Sequence, residues 1–241
     1  KRKVIIGILL GILAGFGVAA LLFAGGDQKQ ATGHSLPKAV SAVEPAVVSI
    51  ATADDLEGFQ KFIFGGEEKN SDGSVDIAGG TGFIIREDGL VATANHVLDG
   101  DKFFVKTASG DEVTAQIVLQ NPELDVALLD LDGEGYAAAE LSNTGVIPGE
   151  EVFAIGNSLG IYSNSILSGV VSAFPRTIEK DGYTISDMIQ LHMPISRGDS
   201  GGPVFNRHSE VVGMLLAFDN RTGGVSFAIP IQDILDLVDS I

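Results

Sequence analysis

PISRGDSGGPVF, residues 194–205, is the stretch on which the fold turns. Gly198, Gly201 and Gly202 surround Asp199 and Ser200, and glycine tolerates the left-handed or closely approached backbone that a tight turn demands. Such a turn has two readings. Ser200 is either a small residue in a glycine-rich bend, or a nucleophile whose neighbouring backbone N–H groups converge where an acyl-transfer enzyme holds a developing oxyanion. The turn satisfies both, so the choice rests on what the other residues supply.

A serine hydroxyl becomes an effective nucleophile when a base takes its proton. A neutral imidazole does this best when a carboxylate fixes its tautomer and stabilises the cation that forms. His96 lies in LVATANHVLDG (90–100), directly after an apolar run that would deliver it to a strand end. Asp125 lies in NPELDVALLDL (121–131), immediately before the apolar run 126–129. Taken singly, His96 is either a base or a surface loop residue, and Asp125 either its orienting acid or a turn acid. Gly198 to Gly202 also fit the G-x-S-x-G elbow of α/β-hydrolases, which needs an acid and then a histidine after the serine. Only His208 follows, with no Asp or Glu in between, so that fold is excluded. The order His96, Asp125, Ser200 matches the chymotrypsin-type arrangement.

The rest of the chain agrees with an all-β fold. Short β-branched and apolar runs at 46–50, 82–85, 90–93, 103–106, 114–118 and 126–129 precede a turn-rich stretch at 143–149. Six more follow at 152–155, 169–172, 188–191, 203–205, 211–216 and 225–229. No amphipathic helices alternate with them, so barrels or sandwiches follow and a parallel α/β sheet does not. The chymotrypsin-type order of His96, Asp125 and Ser200 makes the expectation two six-stranded antiparallel β-barrels. Ile231, Ile234, Leu235, Val238 and Ile241 have helical spacing and predict a short C-terminal helix. The insertion 54–80 carries Phe59, Phe62 and Phe64 before a polar glycine-serine stretch. Loops of that length are usually functional or disordered.

Composition excludes several function classes. Net charge is −17, and without the three N-terminal basic residues 12 lysines and arginines face 32 acids, the opposite of a nucleic-acid footprint. There is no cysteine, hence no disulfide framework or thiolate chemistry. The four histidines show no paired metal-ligand spacing, so neither a metal nor a cofactor is expected.

Lys1, Arg2 and Lys3 precede Val4 to Ala24, an uncharged apolar segment long enough to span a hydrocarbon core of roughly 30 Å. This predicts a single-pass membrane anchor at 4–24 with the remainder outside the cytoplasm. A cleaved signal peptide, giving a secreted or periplasmic protein, is the alternative. The expected organisation is a cytoplasmic stub and anchor (1–25), a linker (26–37) and a catalytic domain (38–241). That domain divides into an N-terminal barrel (38–145), a C-terminal barrel (146–230) and a terminal helix (231–241).

GTGFII (80–85), TANHV (93–97), DVALL (125–129), AIGNSLG (154–160), GVVSA (169–173), GDSGGPVFN (198–206) and FAIP (227–230) occur in order. Together they resemble the HtrA/DegP-like branch of the trypsin-like serine proteases, over residues 36–232. The resemblance implies that Ser200 attacks the peptide carbonyl, His96 is general base and then acid, and Asp125 orients His96. Gly198 and Ser200, with Asp199, would form the oxyanion hole. The strand Met214, Leu215, Leu216, Ala217 would pair with an extended substrate, and with Ile195 and the 217–224 loop would border the specificity pocket. Pro194 stands where trypsin-like enzymes place their acidic selector, so small or medium apolar side chains should be preferred.

The resemblance further implies an endopeptidase for unfolded or damaged polypeptides, a homotrimer, and a role for the 54–80 insertion in assembly and gating. Other readings are a chaperone-like binding protein on the same fold, or a dedicated processing protease. Some features depart from the family pattern. Asp199 replaces the common Asn, and LHMPIS (191–196) differs from the usual text before the turn. Members usually continue into a PDZ domain, whereas this sequence ends 11 residues after Pro230.

Overall fold

Runs of β-branched and apolar residues bounded by glycine turns pair into two antiparallel sheets in the computed structural model. It describes residues 33–52, 79–98, 103–158, 162–180, 182–216 and 224–241. The predicted membrane segment, Phe59, Phe62 and Phe64, and Ala217 lie outside these residues. Among the described residues no helix is long and apolar enough to cross a membrane.

The first sheet contains β1 (Val47–Thr52), β2 (Gly80–Ile84), β3 (Leu90–Ala94), β4 (Phe103–Lys106), β5 (Glu112–Val113), β6 (Ala115–Asn121) and β7 (Val126–Leu131). Their order is β5-β4-β1-β2-β3-β7-β6. Every residue of β2 and β3 is buried, so these central strands are packed on both faces and lose the polar alternation of a half-exposed strand. Their two threonines, Thr81 and Thr93, are fully buried exceptions.

The second sheet contains β8 (Glu140–Leu141), β9 (Glu151–Ser158), β10 (Tyr162–Lys180), β11 (Tyr183–His192), β12 (Pro203–Phe205), β13 (Glu210–Leu216) and β14 (Val225–Pro230). Pairing of β12 with both β9 and β13 closes six of them into a ring, β12-β9-β10-β11-β14-β13. The remaining strand, β8, adds in parallel to β13 from outside.

The expectation of two six-stranded barrels therefore needs correction. The second barrel closes. The first sheet has seven strands and stays open among the described residues, because its ends β5 and β6 do not pair with one another. One edge is only two residues long and the other is largely solvent-facing. Val113 of β5 and Ala115 and Leu119 of β6 are only partly buried against the core.

Among the described residues two α-helices flank the sheets. The first, α1 (Leu36–Val43), was not expected. Pro37 stands in its first turn, where a missing N–H removes no helical bond, and Ala39 and Val43 are buried. Ahead of it, His34 donates its backbone N–H to Arg207 O (2.8 Å), and its Nδ1 lies 3.0 Å from Ser209 Oγ. The end of the expected linker is thus seated on the β12–β13 turn. The second, α2 (Ile231–Val238), follows Pro230 as predicted and buries Ile231 and Ile234.

Packing unites the sheets. One apolar cluster joins Val47, Phe83, Val91 and Leu128 of the first sheet to Phe153, Phe205, Met214 and Leu216 of the second. A second cluster of Ala154, Val171, Ile189, Leu191, Val204 and Leu215 fills the closed barrel. Each valine, leucine, isoleucine, phenylalanine or methionine among them contributes about 1.5–3 kcal/mol on burial. Phe153 and Phe205 meet at 5.9 Å between ring centroids, with the Arg207 guanidinium 5.7 Å from the Phe153 ring. The same core thus holds rigid the strands whose ends carry the candidate site.

Candidate active site

Strand register brings His96 and Asp125 together. Neighbouring strands β3 and β7 pair antiparallel with Ala94 opposite Val126, so the residues just after β3 and just before β7 leave the sheet at the same end. After Ala94 a single 3₁₀ turn, Asn95–Leu98, carries His96. It is tied down by Asn95 N–H donating to Asp125 O (3.0 Å). Asp125 has φ +57, a left-handed conformation that aspartate tolerates better than most residues. That bend turns its carboxylate toward the histidine.

Both carboxylate oxygens are engaged. Asp125 Oδ1 accepts the His96 backbone N–H at 2.9 Å, while Oδ2 lies 2.6 Å from His96 Nδ1. Lys180 Nζ, at the end of β10, lies 3.1 Å from the same Oδ2. The Asp125 side chain is 5 % exposed, His96 38 % and Lys180 16 %. Burial alone would raise the Asp125 pKa. The hydrogen bond and charge of His96, its backbone N–H and the Lys180 ammonium outweigh burial and hold the carboxyl below its ordinary value. Asp125 therefore remains a carboxylate facing His96 Nδ1.

The Ser200 turn is hydrogen-bonded to Thr81 of β2 and packs closely against the end of β3. Gly198 (φ +90) and Gly201 (φ +82) take the positive φ that only glycine adopts freely. At Gly201 a Cβ would also strike Thr81 O, and would lie 2.6 Å from Thr93 Oγ1 and 2.9 Å from Ala94 N. Gly201 N–H donates to Leu215 O and Leu215 N–H to Gly202 O, both at 2.8 Å. Thr81 N–H donates to Ser200 O (2.9 Å) and Thr81 Oγ1 to Gly198 O (2.7 Å). The same Oγ1 accepts Asn157 N–H at 2.9 Å, and Thr93 Oγ1 donates to Thr81 O at 2.7 Å. The turn thus rests two residues from His96.

The three expected oxyanion donors are not alike. Asp199 N–H donates to Ser196 O at 3.2 Å, and its Oδ2 accepts Ser196 N–H at 2.7 Å. Its fully buried side chain packs where a Cβ on Gly156 would otherwise stand. Asp199 is therefore engaged in shaping the turn. Among the described residues no hydrogen bond joins Ser200 Oγ to His96, a link that often tightens only when substrate binds.

The expected substrate strand sits deeper than foreseen. Met214, Leu215 and Leu216 have fully buried side chains, divided between the two cores, and both backbone groups of Leu215 are taken by the Ser200 turn. These three side chains thus belong to the core, while the strand's backbone is what an extended substrate would pair with. Ile195 is partly buried against the barrel core. Cavities of about 260 Å³ beside Val146 and Phe174, and about 470 Å³ beside Pro45 and Tyr136, include none of the three candidate residues. No cluster of three potential metal ligands occurs among the described residues.

Thr81, Thr93, Asn157 and Lys180 support the site and were missed from sequence. For the threonines a signal existed, since each is the polar exception in a strand otherwise apolar enough to be buried. For Lys180 none existed, because its reach depends on the length of the β10–β11 hairpin.

Comparison with known proteins agrees with this architecture. Residues 80–214 match the family model described as "Trypsin-like peptidase domain". A "Probable periplasmic serine endoprotease DegP-like" of Pseudomonas savastanoi pv. phaseolicola is 39% identical over 167 residues, covering 67% of this chain and 34% of the relative. A protein of the same description from Ectopseudomonas mendocina is 33% identical over 257 residues, covering 93% and 52%. Among solved structures, "HtrA-type protease AlgW with tripeptide" superposes with a TM-score of 0.71 at 29% identity, covering 86% of this chain and 63% of that one. The chain spans about a third to about half of the length of the curated relatives it matches. It belongs to the trypsin-like peptidase family, in its HtrA/DegP-like branch.

Proposed function

We propose that this chain is an extracytoplasmic serine endopeptidase that cleaves unfolded polypeptides with Ser200 as nucleophile. The observation that carries the reading is the His96–Asp125 pair, formed at a sheet end against which the Ser200 turn is packed. In this mechanism His96 Nε2 takes the Ser200 proton as Oγ attacks the carbonyl carbon, and later returns it to the leaving amine. Asp125 keeps Nδ1 protonated and stabilises the imidazolium. The N–H groups of Gly198 and Ser200 receive the oxyanion.

The relatives' description as periplasmic supports placing the domain outside the cytoplasm, and the apolar run 4–24 supports a membrane anchor. Trimeric assembly rests on the family resemblance alone. Casein degradation by the chain and by its Ser200→Ala variant tests the proposal. The expected result is cleavage by the first and none by the second. Cleavage by both, or by neither, contradicts it.

A further inference from the structure

The β10–β11 hairpin brings a second cation to Asp125, which the mechanism above does not use. Lys180 is the last residue of β10 and pairs with Tyr183. Adjacent Glu179 is turned to Thr184, whose hydroxyl donates to Oε1 at 2.8 Å. The ammonium lies 3.1 Å from Asp125 Oδ2, the oxygen that faces His96 Nδ1. Two positive groups, one fixed and one appearing only during catalysis, therefore share one carboxylate oxygen. Among the described residues the charged or titratable groups acting on Asp125 are these two: His96 from the turn after β3, and Lys180 from β10.

We infer that Lys180 is a positioning residue for the His96–Asp125 pair, anchoring the carboxylate and opposing the imidazolium so that His96 stays a neutral base at lower pH. The inference rests on the proteolytic reading, in which His96 is the base. Its physical content is simple. A buried aspartate alone favours the protonated imidazole. A fixed ammonium on the same oxygen is a like charge to that imidazolium and partly cancels the attraction. Lys180 is largely buried, so solvent screens the effect less than at an open surface.

The test compares the full chain with Lys180→Met, which keeps the stem without the charge, and Lys180→Arg, which keeps the charge. Variants are first checked for an unchanged melting temperature, and Lys180→Gln substitutes for a methionine variant that fails to fold. On labelled casein, the acid limb of kcat/KM should move up by about one pH unit in Lys180→Met at low ionic strength, and stay in place in Lys180→Arg. Coincident limbs for wild type and Lys180→Met, or equal shifts for Met and Arg, overturn the inference.

Titration of the His96 ring nitrogens by ¹⁵N NMR reads the same quantity without turnover. A rise in Lys180→Met with no Ser200-dependent cleavage sustains the charge effect and sinks the proteolytic reading. An unchanged titration sinks the inference whatever the chain cleaves.

Discussion

At the scale of single residues the site depends on polar groups that touch no substrate. Thr81 is fully buried, and its hydroxyl both donates to Gly198 O and accepts from Asn157 N–H. Thr81→Val keeps the branched shape and leaves two buried backbone groups without that partner, each costing about 1–3 kcal/mol. Because Gly198 belongs to the Ser200 turn, kcat should fall at least tenfold while KM changes little. Chemical denaturation should read a matching loss of about 2 kcal/mol. Unchanged kcat with lowered stability would mean Thr81 only holds the sheets together. The sequence nominated His96, Asp125 and Ser200 as candidates because that chemistry demands those residue types in a recognisable order. It was silent on Lys180 and nearly so on Thr81, since a support is defined by what lies across the fold from it.

At the scale of elements, legibility followed burial. Strands β2, β3 and β7 were readable because long apolar runs have nowhere to go but a core. The two-residue strands β5 and β8 are too short to show a period. The hairpin β10–β11 was foreseen only at its barrel end, because its outer part alternates among exposed residues. The terminal helix α2 was legible from its spacing, and it carries an electrostatic flaw. Asp233 stands in its first turn, where the helix dipole favours an acid by about 0.3–1 kcal/mol. Burial, and then the charges of Asp187 and Asp236, nonetheless raise its pKa.

A raised folded-state pKa means that the native chain binds this proton more tightly than the unfolded one. Stability from Asp233 is therefore present while it is protonated, and is lost as pH climbs from the ordinary carboxylate value through the raised one. Asp233→Asn should then stabilise the protein at pH 7 by about half a kcal/mol, a figure reduced for solvent screening. The gain should fade as pH falls toward 4. Urea melts at both pH values measure it, and a loss at pH 7 would mean that the dipole dominates.

At the scale of the whole molecule, an open seven-stranded sheet and a closed six-stranded barrel share a core across which the candidate site is assembled. The first supplies His96, Asp125 and Thr81, and the second Ser200 and Lys180. The sequence implied this division because no α/β order fits the three residues, but barrel closure depends on edge pairings that leave no periodic trace. A net charge of −17 surrounds the assembly. The acid-rich chain thus keeps its site cations, Lys180 among them, as local exceptions. The central claim is that Ser200 is an activated nucleophile, and covalent labelling of the full chain with a fluorophosphonate, located by mass spectrometry, tests it most directly. The account predicts one adduct, on Ser200, and its loss in the folded His96→Ala variant. A folded wild-type chain that stays unlabelled, or an adduct that forms equally well without His96, would contradict it.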